Sequence, residues 1–296
     1  MGKPADYVQG GPAFAIIRGV CAHHAERMAC GRRMSPFPLH DRRLTMPRTE
    51  LIEMPNAPAG LRIREFRLQV QGRTVPARLW TPAGSHGPMP LVLVGHGGSG
   101  HKDSQLVRDI AVPMVTKHGF AVAAIDGPVH GARRATFSDG PDVRQEFRDL
   151  WASGTSIPAM VADWRAVLDV LSALPEINAA AIGWYGISMG TAYGIPLAAA
   201  DPRIRAAVLG MWGSCRPASE QLVTDAAKIT CPVLFQTKSG ETLFTVEGQQ
   251  DIYDHFASQR KEHRVYPGGH TDPADQQLAD IEKFLVQELG TAGRAT

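Results

Sequence analysis

The chain has 296 residues, 44% of them hydrophobic and 20% charged, enough apolar material for a large core and too much for a disordered chain. No apolar run approaches the about 20 residues that a membrane-crossing helix needs, so a soluble protein with no membrane partner is expected. The formal charge of +2 is unevenly spread: residues 1–45 hold seven Lys/Arg against three Asp/Glu, and the near-neutral remainder carries no electrostatic footprint for nucleic acid.

Those first 45 residues lack a sustained apolar period and are expected to form a poorly structured extension, with Met46 a plausible natural start and residues 46–296 a single catalytic domain. Phe14 to Ile17 is too short for the apolar core of a secretory signal and is broken at Arg18, so a cytoplasmic location is expected. The four cysteines, Cys21, Cys30, Cys215 and Cys231, form no CxxC pair. The cluster Cys21, His23, His24, Cys30 fits no zinc spacing, and neither a metal nor another cofactor is expected.

From Leu61 the apolar pattern becomes regular. LRIREFRLQV (61–70) and RTVPARLW (73–80) alternate with period two around Gln71-Gly72, which predicts an antiparallel hairpin. LVLVGH (91–96), FAVAAID (120–126), AAAIGWYG (179–186), IRAAVLGMW (204–212), CPVLFQT (231–237) and HRVYP (263–267) are short, mostly apolar runs. Such runs suit strands buried on both faces of a parallel sheet. Between them, 105–118, 157–174, 189–200, 246–258 and 275–289 are helix-like, most with apolar residues at i, i+3, i+4 spacing. The alternation predicts one doubly wound, mostly parallel α/β sheet with an antiparallel start. One connection stands out: about 30 residues separate Asp126 from the helix near Ile157, with Arg133, Arg134, Phe137, Phe147 and Trp151 among them. A connection of that length at the carboxyl end of a strand reads as a lid-like insertion.

The sharpest chemical signal is Gly186-Ile187-Ser188-Met189-Gly190. It closes an apolar strand and opens a helix, the setting of a nucleophile elbow, where a serine sits on a turn too tight for side chains two residues before and after it. A serine hydroxyl needs a base, and His270 in Tyr266-Pro267-Gly268-Gly269-His270 follows the last strand on a loop that can reach it. For His96 and His130, each in a turn just after a strand, structural roles are preferred. His255 and His263, on or beside a surface helix, are expected to be solvated. The base needs a carboxylate, which elbow hydrolases place between nucleophile and histidine in chain order. Glu241, just after CPVLFQT, is the first candidate and Asp251 the rival.

A tetrahedral intermediate also needs hydrogen-bond donors. The backbone amide of Met189, at a helix N-terminus, is one. The second should come from the turn Gly95-His96-Gly97-Gly98-Ser99-Gly100, with Gly98 favoured over Gly97; a phosphate loop is disfavoured because neither GxxxxGK[ST] nor GxGxxG occurs there. Arg133 and Arg134 could pair with a substrate carboxylate, and Trp151, Trp212 and Met189 could line an apolar acyl pocket.

Taken together, HGG (96–98), GISMG (186–190), an acid after CPVLFQT and YPGGH (266–270) resemble the α/β-hydrolase superfamily, nearest to its dienelactone-hydrolase-like and esterase members, over about residues 61 to 289. Asp126-Gly127-Pro128-Val129-His130-Gly131 is similar to the D-x-x-x-H-G turn common after the fourth strand of that fold. The resemblance implies an α/β-hydrolase fold and a serine hydrolase that cleaves a small-molecule carboxylic ester or lactone through an acyl-enzyme. Two positions depart from it: Ser188 stands where dienelactone hydrolases proper use cysteine, and Glu241 where most relatives carry Asp. The alternatives are an amide or carbon–carbon bond hydrolase on the same residues, and a non-catalytic ligand-binding protein. A homodimer is left open.

Overall fold

The computed structural model describes residues 49–85 and 87–290; the expected N-terminal extension, residues 1–45, lies outside them. Among the described residues nine strands form one sheet: β1 (Ile52–Glu53), β2 (Leu61–Val70), β3 (Arg73–Pro82), β4 (Met89–Gly95), β5 (Ala121–Ile125), β6 (Ile177–Gly186), β7 (Ile204–Gly210), β8 (Val233–Lys238) and β9 (Lys261–Tyr266). Their order is β1-β2-β3-β5-β4-β6-β7-β8-β9. The first three strands and the β3–β5 pair are antiparallel, and every pair from β5 to β9 is parallel. The hairpin turns where expected, with Val70 opposite Arg73 and both Gln71 (φ 50°) and Gly72 (φ 79°) left-handed. That pair of dihedrals belongs to the tight hairpin turn whose twist matches the flanking strands.

The helices are α1 (Gln105–Thr116), α2 (Pro141–Ala152), α3 (Ser156–Ser172), α4 (Met189–Ala200), α5 (Glu220–Ala226), α6 (Val246–His255) and α7 (Asp275–Gly290). Strand parity sorts the core into two layers, because successive side chains leave opposite faces. Leu91, Leu93, Ala123 and Ile125 pack toward α2–α6, whereas Val92, Val94, Val122 and Ala124 pack toward α1 and α7. The sheet is therefore covered on both sides, which is why its strands read as unbroken apolar runs. No helix among the described residues is long and apolar enough to cross a membrane.

Two helices, α2 and α5, and the two-residue strand β1 escape the apolar periodicity. The long connection after β5, expected as a lid-like insertion, carries a 3-10 turn at Gly131–Arg133 and then α2, whose Val143, Phe147 and Trp151 are buried. Its charged outer face hides the helical period. The connection starts from Asp126, a fully buried carboxylate that accepts from the Lys102 and Ala132 amides, both at 2.8 Å. Gly131 (φ 54°) passes so close to it that a Cβ there would lie 2.3 Å from Asp126 Oδ1.

Strand order reverses about β4, which lies between β5 and β6. Open α/β sheets bind ligands beyond the carboxyl ends of their strands at such a point.

Candidate active site

Ser188 follows β6 with φ 55° and ψ −121°, a conformation that side chains rarely adopt. Three contacts hold it there. Its own amide donates to the Gly210 carbonyl at the end of β7 (2.9 Å). The Thr191 hydroxyl lies 2.8 Å from the Gly186 carbonyl and 2.6 Å from the Gly210 carbonyl, and accepts from the Gly210 amide at 2.7 Å. A Cβ at Gly190 would stand 2.4 Å from the Gly95 carbonyl, and one at Gly186 2.8 Å from the Gly190 carbonyl, so α4 can start against β4 only with glycine at both places. The elbow is thus clamped between β4 and β7.

His270 reaches the elbow from the loop after β9. Its Nε2 lies 2.9 Å from Ser188 Oγ, and its Nδ1 lies 2.6 Å from Glu241 Oε2. The other carboxylate oxygen of Glu241 accepts from the Leu243 amide at 2.7 Å, and the Glu241 side chain is 1% exposed. The loops bearing His270 and Glu241 are stitched together by Ser239 N–H to Tyr266 O (2.9 Å) and Gly240 N–H to Gly268 O (2.8 Å). Lys238, the last residue of β8, donates to the Thr271 carbonyl and hydroxyl at 2.8 Å each and to the Asp272 carbonyl at 3.0 Å. Its ammonium thereby fixes the segment immediately after His270. Burial pushes the Lys238 ammonium below the ordinary lysine range. Asp251, the rival acid, lies on α6 facing solvent beside His255.

On the other side of Ser188 is the turn after β4. His96 is buried; its Nδ1–H donates to the Gly97 carbonyl (2.8 Å) while Nε2 accepts from the Gly127 amide (2.8 Å). Both nitrogens are used in one neutral tautomer. The Gly97 carbonyl and the Gly98 amide belong to one peptide plane and point opposite ways, so His96 sets the direction of the Gly98 N–H. Burial and the neighbouring His130 hold the His96 imidazole well below its ordinary value. His130, also lowered chiefly by burial, donates from Nε2 to the Gly98 carbonyl at 3.1 Å. Met189 is the first residue of α4, where an amide has no intrahelical acceptor. His263 departs from the solvated surface role expected of it: it sits on β9, with Nε2 2.8 Å from Thr237 Oγ1 and its ring against those of Phe235 and Tyr253.

Aromatic rings wall the site. Phe147 lies over Gly98, where a Cβ would meet the ring at 3.3 Å, and its centroid is 6.3 Å from that of Trp212. Trp212 packs on Trp151 (4.9 Å) and Phe244 (4.8 Å), and Phe244 faces the His270 ring at 5.7 Å. The two indoles are almost fully buried and donate to Pro217 O and Ser219 Oγ, so they support the wall from behind. Phe147 and Phe244 are the rings next to Gly98 and His270. That assignment could not be made from sequence, because neither ring lies in a motif.

Both arginines are paired with carboxylates of the chain itself. The Arg133 guanidinium is 7% exposed, pairs with Asp163 at 2.8 Å and donates to the Asp126 carbonyl at 2.9 Å, and Arg73 holds the same Asp163 from the other side. Arg134 pairs with Glu146 and Asp142 of α2. The expected substrate-carboxylate role of Arg133 and Arg134 is therefore replaced by one of fastening the connection to the domain: the sequence showed the charges but not the carboxylates that the fold brings to them.

The dienelactone hydrolase family model matches residues 75–276. A cold-adapted esterase from an Arctic intertidal metagenomic library, in a polyethylene-glycol-bound complex, is 34% identical; the alignment covers 80% of this chain and 97% of that one, with a TM-score of 0.71. Acetyl xylan esterase 1 from Thermoanaerobacterium is similar in fold alone, at 19% identity over 83% of this chain and 89% of that one, with a TM-score of 0.63. No curated protein gave a match. The chain belongs to the dienelactone hydrolase family, with the α/β-hydrolase fold, and is a carboxylic-ester hydrolase.

Proposed function

We propose that the protein cleaves esters, and lactones of similar size, by a serine mechanism with an acyl-enzyme intermediate. The observation that carries this reading is the continuous hydrogen-bonded line from Ser188 Oγ through His270 to Glu241, with steps of 2.9 and 2.6 Å. Glu241 accepts from Nδ1–H, which leaves Nε2 unprotonated and able to take the Ser188 proton. Oγ then bonds to the ester carbonyl carbon. The oxygen that becomes negative is held by the Met189 and Gly98 amides, the first assisted by the N-terminal end of the α4 dipole. Collapse of the intermediate breaks the bond to the alkoxy oxygen, and His270 returns the proton to it. Water repeats the sequence on the acyl-enzyme and releases the acid.

The test is a pair of measurements on the full-length protein. A fluorophosphonate probe should label Ser188, with loss of labelling in Ser188→Ala. The same variant should keep its melting temperature and lose several orders of magnitude in p-nitrophenyl acetate hydrolysis, because nucleophile and base act as one unit. Near-wild-type turnover by Ser188→Ala would refute the mechanism, and a wild-type protein that neither labels nor turns over would favour a ligand-binding role.

A further inference from the structure

The side of the site from which the alcohol departs can be identified, because the leaving oxygen must receive its proton from His270 Nε2 and therefore sits beside that imidazole. The segment against the imidazole is the one that follows the acid. Phe244 presents its ring to His270 at 5.7 Å. On either side of it Leu243 and Val246 point outward, 59% and 73% exposed. They are two of only six large apolar side chains exposed among the described residues, and both lie within five residues of Glu241.

This exposed apolar ledge is rigid. One carboxylate holds both the His270 ring (2.6 Å) and the Leu243 amide (2.7 Å). The Thr245 amide donates to Cys215 Sγ at 3.3 Å, and the Thr245 hydroxyl caps α6 by accepting from the Gly248 amide at 3.0 Å. Leu243 is thus tied through Glu241 to the Nδ1 edge of His270, the imidazole whose Nε2 protonates the leaving oxygen. Single exposed leucines are ordinary on protein surfaces; two on a pinned turn beside the base, with a buried ring between them, make a surface on which an alkyl or aryl group can lie.

Resting on the serine-hydrolase reading above, we propose that Leu243, Phe244 and Val246 form the leaving-group subsite and that the preferred substrates are esters of uncharged, apolar alcohols. In the acylation step the Ser188 Oγ–carbon bond forms, the carbon–alkoxy bond breaks, and the proton taken from Ser188 passes from His270 to the departing alkoxide. The ledge contacts that alcohol and leaves the chemistry unchanged.

The experiment compares hexyl acetate with 6-hydroxyhexyl acetate, two esters with equivalent reacting centres that differ at the far end of the alcohol, and includes ethyl acetate as a short reference. Released acid is followed by titration. The wild-type protein should show a kcat/KM about tenfold higher for hexyl than for 6-hydroxyhexyl acetate, as expected when a terminal hydroxyl must lose part of its hydration to lie on an apolar surface. In the Leu243→Gln, Val246→Gln double variant the ratio should fall toward one, with hexyl acetate losing more than ethyl acetate; both side chains are exposed, so the fold should persist. A wild-type ratio near one, or a ratio that survives in the double variant, would overturn the subsite while leaving ester hydrolysis intact. So would a variant whose defect follows acyl length, tested with ethyl hexanoate against ethyl acetate, rather than alcohol length. Failure of the wild-type protein to hydrolyse any of these esters or p-nitrophenyl acetate would remove the serine-hydrolase reading and the subsite with it.

Discussion

Replacing Glu241 by Gln exposes the logic of the site, because the carboxylate faces two N–H donors at once. Nδ1 of His270 lies 2.6 Å from one oxygen and the Leu243 amide 2.7 Å from the other. An amide can satisfy only one of them. If its NH2 group turns toward Leu243, donor meets donor at a side chain that is 1% exposed. If it turns toward His270, the imidazole must offer Nδ1 as acceptor and carry its proton on Nε2, where it cannot receive the proton of Ser188. Either arrangement also removes the negative charge opposite the imidazolium that forms in the transition state. The corresponding Asp-to-Asn change in a serine protease triad lowers kcat by about 10⁴, or about 5.5 kcal/mol of transition-state stabilisation, and a loss of about 10³ to 10⁴ is expected here. Initial rates with p-nitrophenyl acetate at pH 7.5, beside a thermal melt, measure it: kcat should collapse while KM and the fold change little. Asp251→Asn should be close to neutral, since Asp251 is exposed on α6 beside His255. Glu241→Asp, one methylene shorter, should fall between, able to keep one bond but not both. A Glu241→Gln variant retaining more than about a tenth of wild-type kcat, or an Asp251→Asn variant that loses as much, would refute the assignment of the acid.

Other outcomes follow from contacts around the same groups. Thr191→Val keeps shape but removes the hydroxyl that joins the Gly186 and Gly210 backbone; buried groups left unpaired cost about 1 to 3 kcal/mol, and the melting temperature should fall by about 3 to 10 °C, with a parallel loss in kcat that an unchanged melt and rate would contradict. Lys238→Met removes three bonds to the segment after His270 and should lower kcat about tenfold with little effect on KM; a change confined to KM would argue against a positioning role. His96, whose folded-state value lies well below 6.5, stays neutral in the folded protein while the unfolded chain takes up a proton as pH drops past about 6.5. Stability should therefore be full above that pH and decline below it, and His130 acts in the same direction. Melting temperatures from pH 7.5 to 5 should show this decline, with a shallower slope in His96→Gln; equal slopes would mean that the buried imidazole is not the source.

Much of the architecture was legible because it is written in short-range patterns. Period-two alternation marked the β2–β3 hairpin down to its Gln71-Gly72 turn, and unbroken apolar runs marked strands whose two faces are both covered. The elbow was legible for the same reason: its constraint acts between residues two apart, so Gly186, Ser188 and Gly190 carry it within five positions. Where charged surface residues interrupt the apolar period, as in α2, the helix went unread although its buried Val143, Phe147 and Trp151 bind it to the core.

Long-range pairing was not legible. Arg133 and Arg134 looked free because a sequence shows charges without the carboxylates opposite them, and only the packed connection brings Asp163, Asp142 and Glu146 to them. Thr191 and Lys238 belong to no motif; their roles exist because β7 passes beside the elbow and because the loops after β8 and β9 meet. The choice between Glu241 and Asp251 has the same character. Both follow β8 and precede His270 in the chain, and only the fold turns one carboxylate inward onto the imidazole and the other out to solvent, since direction across a loop is set by what the loop packs against rather than by its own residues.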